Sequence, residues 1–144
     1  FGVSFGGAAA LLASRDSRVD KVICFSPVVD PLDHIKHGET LDMTYRVTRA
    51  AFGEAYRFSD RDWKKQKNGW FYNPMAHAKE IDGSKIMIIH AKDDKIVRYQ
   101  PVQRFAQLAG AKLWLLSRGG HTPSAWYTKP RFYKQIKKFL SEES

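Results

Sequence analysis

A serine hydroxyl becomes a useful nucleophile only when an imidazole takes its proton, and the imidazole holds the right tautomer only when a carboxylate accepts its other N–H. The chain offers these groups in turn: Ser4 within FGVSFGG, the adjacent Asp93 and Asp94 within IIHAKDDKIV, and His121 within SRGGHT. Around Ser4, Gly2 and Gly6 complete G-x-S-x-G, in which small residues let a strand turn sharply into a helix and lift the hydroxyl clear. The same turn aims the next backbone amide, on Phe5, at an oxyanion forming on a bound carbonyl. A chance match to this motif in a chain of this length is on the order of 5%, so the motif alone leaves a plain glycine-rich turn open. The segment lacks the Lys-Ser/Thr ending of a P-loop and the three-glycine spacing of a dinucleotide site.

The weight comes from the elements that must hold these groups. Residues 5–14 read as a small-residue helix able to pack closely on a sheet, with its preceding strand reduced to Phe1. KVICFS (21–26), KIMIIHA (85–91) and KLWLLS (112–117) are short apolar runs, read as strands buried on both faces. Residues 99–109 form a helix with Val102, Phe105, Ala106 and Ala109 on one stripe, stopped by Gly110. A last helix, 131–142, puts Phe132, Ile136, Phe139 and Leu140 on one stripe. Strands separated by helices make a parallel sheet, and in such sheets reacting groups gather beyond the carboxyl ends of the strands. Ser4, Asp94 and His121 each come just after such an end.

Residues 30–74 break the alternation. They contain one plausible amphipathic helix, TLDMTYRVTRAAFGEAYRF, and a basic, aromatic stretch ending NGWFYNP, and read as an inserted, cap-like segment. Trp63, Trp70 and Phe71 there suit packing more than gripping a ligand. Asp30, Asp33, His34, His37 and Glu39 resemble a metal cluster only superficially, because no complete ligand set with known spacing emerges.

The 144 residues carry 24 Lys and Arg against 15 Asp and Glu, a net charge of +9. That balance invites a nucleic-acid partner, but Lys64, Lys65 and Lys67 fall in a polar connection and Lys134, Lys137 and Lys138 on the outer face of the last helix. Basic and aromatic residues are not interleaved as base stacking requires, so no nucleic-acid partner is expected. The one cysteine, Cys24, sits in the apolar run VICF as an inert thiol and favours a reducing, cytoplasmic setting. No run reaches the roughly 18 apolar residues of a membrane span.

GVSFGG, HAKDDKIV and SRGGHT together make the sequence resemble the C-terminal catalytic portion of the α/β-hydrolase fold, over residues 1–29 and 75–144. The resemblance implies a mainly parallel sheet flanked by helices, and a serine hydrolase with Ser4 as nucleophile, Asp94 as the acid and His121 as the base. Asp94 matches the acid position of His-Gly-x-x-Asp-x-x-Val, three residues before Val97; Ala91 stands where the pattern has glycine. The family's earlier strands and the loop with the second oxyanion amide have no counterpart after Phe1, so the chain reads as a partial domain, inactive alone. The resemblance extends to carboxylesterases and to prolyl-oligopeptidase-like and aminopeptidase-like hydrolases, so the substrate is a small ester, acyl compound or peptide. No metal or organic cofactor is implied. A non-catalytic binding protein of the same fold stays open, because one scaffold serves several functions.

Overall fold

The central strands are apolar without alternation because both of their faces are covered. The computed structural model describes residues 1–36, 41–55, 59, 61, 62, 72–122 and 129–142. Four strands, β1 (Gly2–Val3), β2 (Val22–Phe25), β3 (Ile86–Ala91) and β4 (Lys112–Leu116), form one parallel sheet in the order β1-β2-β3-β4. The register sets Val3 beside Phe25, Phe25 beside Ile89, and Ile89 beside Trp114, so the carboxyl ends of all four strands lie along one edge.

On one face, Val22, Cys24, Ile86 and Ile88 meet Leu11 of α1 (Phe5–Ala13) and Val102 and Phe105 of the helix Tyr99–Ala109. On the other, Ile23, Phe25, Met87 and Ile89 meet Phe132 and Phe139 of the terminal helix Pro130–Ser141. Phe132 stacks between Trp114 and Phe25, with ring centroids 5.0 and 6.1 Å away. Successive parallel neighbours joined by right-handed crossovers place their connecting helices on one side of the sheet, which is why α1 and Tyr99–Ala109 share a face. With α2 (Pro31–Lys36) and α3 (Leu41–Phe52) between β2 and β3, Tyr99–Ala109 is α4 and Pro130–Ser141 is α5.

Four expectations from the sequence change. The strand before Ser4 is present as Gly2–Val3, paired with β2. KLWLLS is not buried on both faces: only Leu116 is buried, because among the described residues β4 is the last strand of the sheet and has a neighbour on one side alone. Leu140 is 47% exposed, since α5 meets the sheet through Phe132 and Phe139 and Leu140 lies about 100° further round the helix. Among the described residues, 30–74 hold α2 and α3 and a helical pair at 61–62 rather than a single helix, and α3 gives way to a 3-10 turn at Gly53, whose φ of 49° is left-handed.

His37, Glu39, Trp63, Lys64, Lys65, Lys67, Trp70 and Phe71 lie outside the described residues. Among the described residues no group of three or more His, Cys, Asp or Glu could hold a metal ion, and no helix is long and apolar enough to cross a membrane.

Candidate active site

Ser4 stands between β1 and α1 at φ 53° and ψ −120°, a backbone conformation that costs a non-glycine residue about 1–3 kcal/mol. The surroundings over-determine it. Ser4 N–H donates to Phe25 O at 3.0 Å, and Ser4 O accepts from Val28 N at 3.1 Å and Ala8 N at 3.2 Å. The turn is also too tight for side chains on its neighbours. A Cβ on Gly2 would run into the Gly6 carbonyl, and one on Gly7 would come within 2.8 Å of Pro27 Cβ. Gly6, by contrast, has open space where its Cβ would be, so the sterically required pair is Gly2 and Gly7 rather than the Gly2 and Gly6 of the motif. Phe5, next after Ser4, opens α1, where the first N–H groups have no acceptor inside the helix.

Two strands away, the loop after β3 folds back through the Asp94 side chain. Asp94 Oδ1 accepts from Ile96 N at 2.8 Å and Val97 N at 2.9 Å, while Oδ2 lies 2.9 Å from His121 Nδ1. The Asp94 side chain is fully buried and that of His121 is 18% exposed. Burial pushes the Asp94 carboxyl towards higher pKa, but the Val97 amide, the His121 ring and the Ile96 amide together outweigh it and hold it below the ordinary value. The carboxylate is therefore charged and receives the His121 Nδ1 proton, leaving Nε2 as the ring's basic nitrogen.

His90, the penultimate residue of β3, is fully buried behind this pair. Its Nε2 lies 3.0 Å from Val97 O and 3.5 Å from Asp94 Oδ2, while Nδ1 is buried without a partner. Burial lowers its pKa against the raising effects of Val97 O and Asp94, so the ring is neutral and its Nε2–H points at the Val97 carbonyl. Asp93 turns the other way. Its Oδ1 accepts from Gly119 N at 2.8 Å and Gly120 N at 2.9 Å, in the loop that presents His121. At the end of a strand, His90 reads from the sequence as a histidine that hydrogen-bonds locally rather than acting chemically, and its contact with Val97 O agrees; the role of Asp93 was not legible, its one signal being a second acid beside Asp94 and a Gly-Gly step before His121. Ser26, at the end of β2, is a further strained residue, with φ 44° and a buried, unpartnered Oγ.

The structure thus brings Asp94 and His121 into contact. It sets Ser4 on the same edge of the sheet, with no hydrogen bond between Ser4 Oγ and the imidazole among the described residues.

A parallel sheet flanked by helices, with a tight strand-to-helix turn at one end of its carboxyl edge, is an α/β-hydrolase-like arrangement. Solved structures share it. An esterase of Pyrococcus furiosus matches with a TM-score of 0.63 at 19% identity, over 99% of this chain and 52% of its own. An acylaminoacyl peptidase, solved with a peptidyl chloromethyl ketone, matches at 0.60 and 18% identity, over 99% of this chain and 23% of its own. A serine hydrolase involved in carbazole degradation matches at 0.60 and 19% identity, over 97% of this chain and 62% of its own. The likeness is one of fold, and the chain spans about half the length of the esterase. No protein-family model and no curated protein sequence matches the chain.

Proposed function

We propose that the chain carries the reacting groups of a serine hydrolase acting on carboxylic esters, with Ser4 as nucleophile, His121 as general base and Asp94 as its orienting acid. The observation that carries the reading is the 2.9 Å contact of Asp94 Oδ2 with His121 Nδ1, on the same sheet edge as a serine held at positive φ. β1 and β3 are two strand spacings apart, about 10 Å, a gap that a carboxylate, an imidazole and a hydroxyl bridge when hydrogen-bonded in series. The names of the three solved relatives, an esterase, a peptidase and a serine hydrolase, support the same class.

In the reaction, Ser4 Oγ bonds to the carbonyl carbon as its proton passes to His121 Nε2. The Phe5 N–H stabilises the oxyanion. Collapse breaks the bond to the leaving alkoxide, which takes the proton from His121, and leaves an acyl group on Ser4. Water, deprotonated by His121, attacks that ester, releases the acid and restores the serine. Asp94 stays ionised and stabilises the imidazolium that forms at each step. These steps call on no metal or organic cofactor. The inserted segment 30–74 lies between β2 and β3, and in this reading it covers the site and shapes acyl preference.

A fluorophosphonate probe tests the reading. Labelling of the well-folded full-length protein, abolished by Ser4→Ala, supports it; a well-folded full-length protein that takes no label overturns it in favour of a binding protein. Comparing p-nitrophenyl esters with acyl-peptide anilides separates esterase from peptidase, and replacing residues 30–74 by a short loop should change acyl preference while leaving the serine reactive.

A further inference from the structure

Asp93 and Asp94 are adjacent in sequence but divided in task. Asp94 Oδ2 meets the His121 ring, whereas Asp93 Oδ1 takes the N–H groups of Gly119 and Gly120, the two residues immediately before His121. Two successive N–H groups converge on one oxygen only where the backbone curls into an anion-binding nest. Here Gly120 provides the curl, at φ 64°, a conformation glycine takes without strain.

The loop that leaves β4 has another tie just before it, from Lys92 N to Leu116 O at 2.8 Å. Between Leu116 and His121, the Asp93 side chain ties the loop back to the end of β3. We infer that Asp93 is a positioning residue, whose carboxylate clamps the Gly119–Gly120 turn and so sets the place from which His121 reaches Asp94. The inference rests on the serine-hydrolase reading of Ser4, Asp94 and His121. Asp93 is exposed, so its removal buries no orphaned group and leaves the core untouched. What it changes is the freedom of a short loop carrying the base, where a misplacement of about 1 Å can slow reaction a hundredfold.

The test compares Asp93→Ala with Asp93→Asn in the full chain, each normalised to folded protein by circular dichroism. Asparagine keeps a side-chain oxygen for both glycine amides; alanine does not. The expected result is fluorophosphonate labelling of Ser4 slowed about ten- to a hundredfold in Asp93→Ala and largely restored in Asp93→Asn. Labelling at the parent rate in Asp93→Ala, or equal slowing in both variants, overturns the clamp. A parallel measurement by NMR does not depend on catalysis: exchange protection of the Gly119 and Gly120 amides and the His121 Nδ1–H resonance. Both should persist in the parent and Asp93→Asn and vanish in Asp93→Ala, and their persistence in Asp93→Ala overturns the clamp even if the parent takes no label. An unlabelled parent overturns only the hydrolase reading.

Discussion

Asp94 Oδ2 sits 2.9 Å from His121 Nδ1 while its Oδ1 is held by the Ile96 and Val97 amides, so the carboxylate has no freedom to turn away from the ring. Asp94→Asn keeps the shape and the acceptor for the two amides but can offer the ring an N–H instead of a charged acceptor. The imidazole then loses its tautomer and the support for its cationic form. Ester turnover should fall by about 10⁴-fold, with substrate affinity little changed, read as kcat against KM on a chromogenic ester.

The backbone of Ser4 makes a stability prediction independent of chemistry. At φ 53°, alanine keeps the strain and glycine relieves it. Ser4→Gly should therefore be more stable than Ser4→Ala by about 1 kcal/mol, measured by urea unfolding. Equal midpoints would show that the turn is not strained.

Gly7 and Gly6 should part company in the same assay. Gly7→Ala forces a methyl to within 2.8 Å of Pro27 Cβ and 3.0 Å of its Cα, and should destabilise by about 1–3 kcal/mol. Gly6→Ala meets nothing within 4 Å, lies in α1, and should stabilise by up to about 1 kcal/mol through the unfolded chain.

Acid should weaken the fold in two stages with the same sign. The folded pKa of His90 is lowered from 6.5, so the unfolded chain binds a proton that the folded one refuses. Its contribution is complete above about pH 6.5 and is lost as pH falls through the lowered folded value. The folded pKa of Asp94 is lowered from 3.8, so its stabilisation is complete above that value and lost as pH falls below it. Urea midpoints across this range should decline less steeply in His90→Asn than in the parent between the ordinary His90 value and that of Asp94. Parallel profiles in the two proteins would refute the buried neutral His90.

Much of the scaffold could be read from local pattern. The run IMIIHA is apolar at nearly every position, and such a run suits a strand covered on both faces; the stripe Val102, Phe105 and Ala106 and the stop at Gly110 mark α4 at Tyr99–Ala109, where the structure has it. The order of the chemical groups along the chain, serine, acid, histidine, each after a strand, was equally legible, because parallel strands deliver their outgoing loops to one edge.

The family resemblance picks Asp94 over Asp93 as the partner of His121; tertiary structure alone decided where Asp93 goes, and which positions are edges. Asp93 and Asp94 have the same chemistry, and only the curl of the loop after β3 sends one to the glycine amides and the other to the imidazole. KLWLLS looks as apolar as the other runs, yet β4 is half-covered because, among the described residues, no strand lies beyond it. Side-chain type and period are properties of a short segment and survive in the sequence; direction and neighbourhood depend on contacts between residues more than twenty apart, and those exist only once the chain has folded.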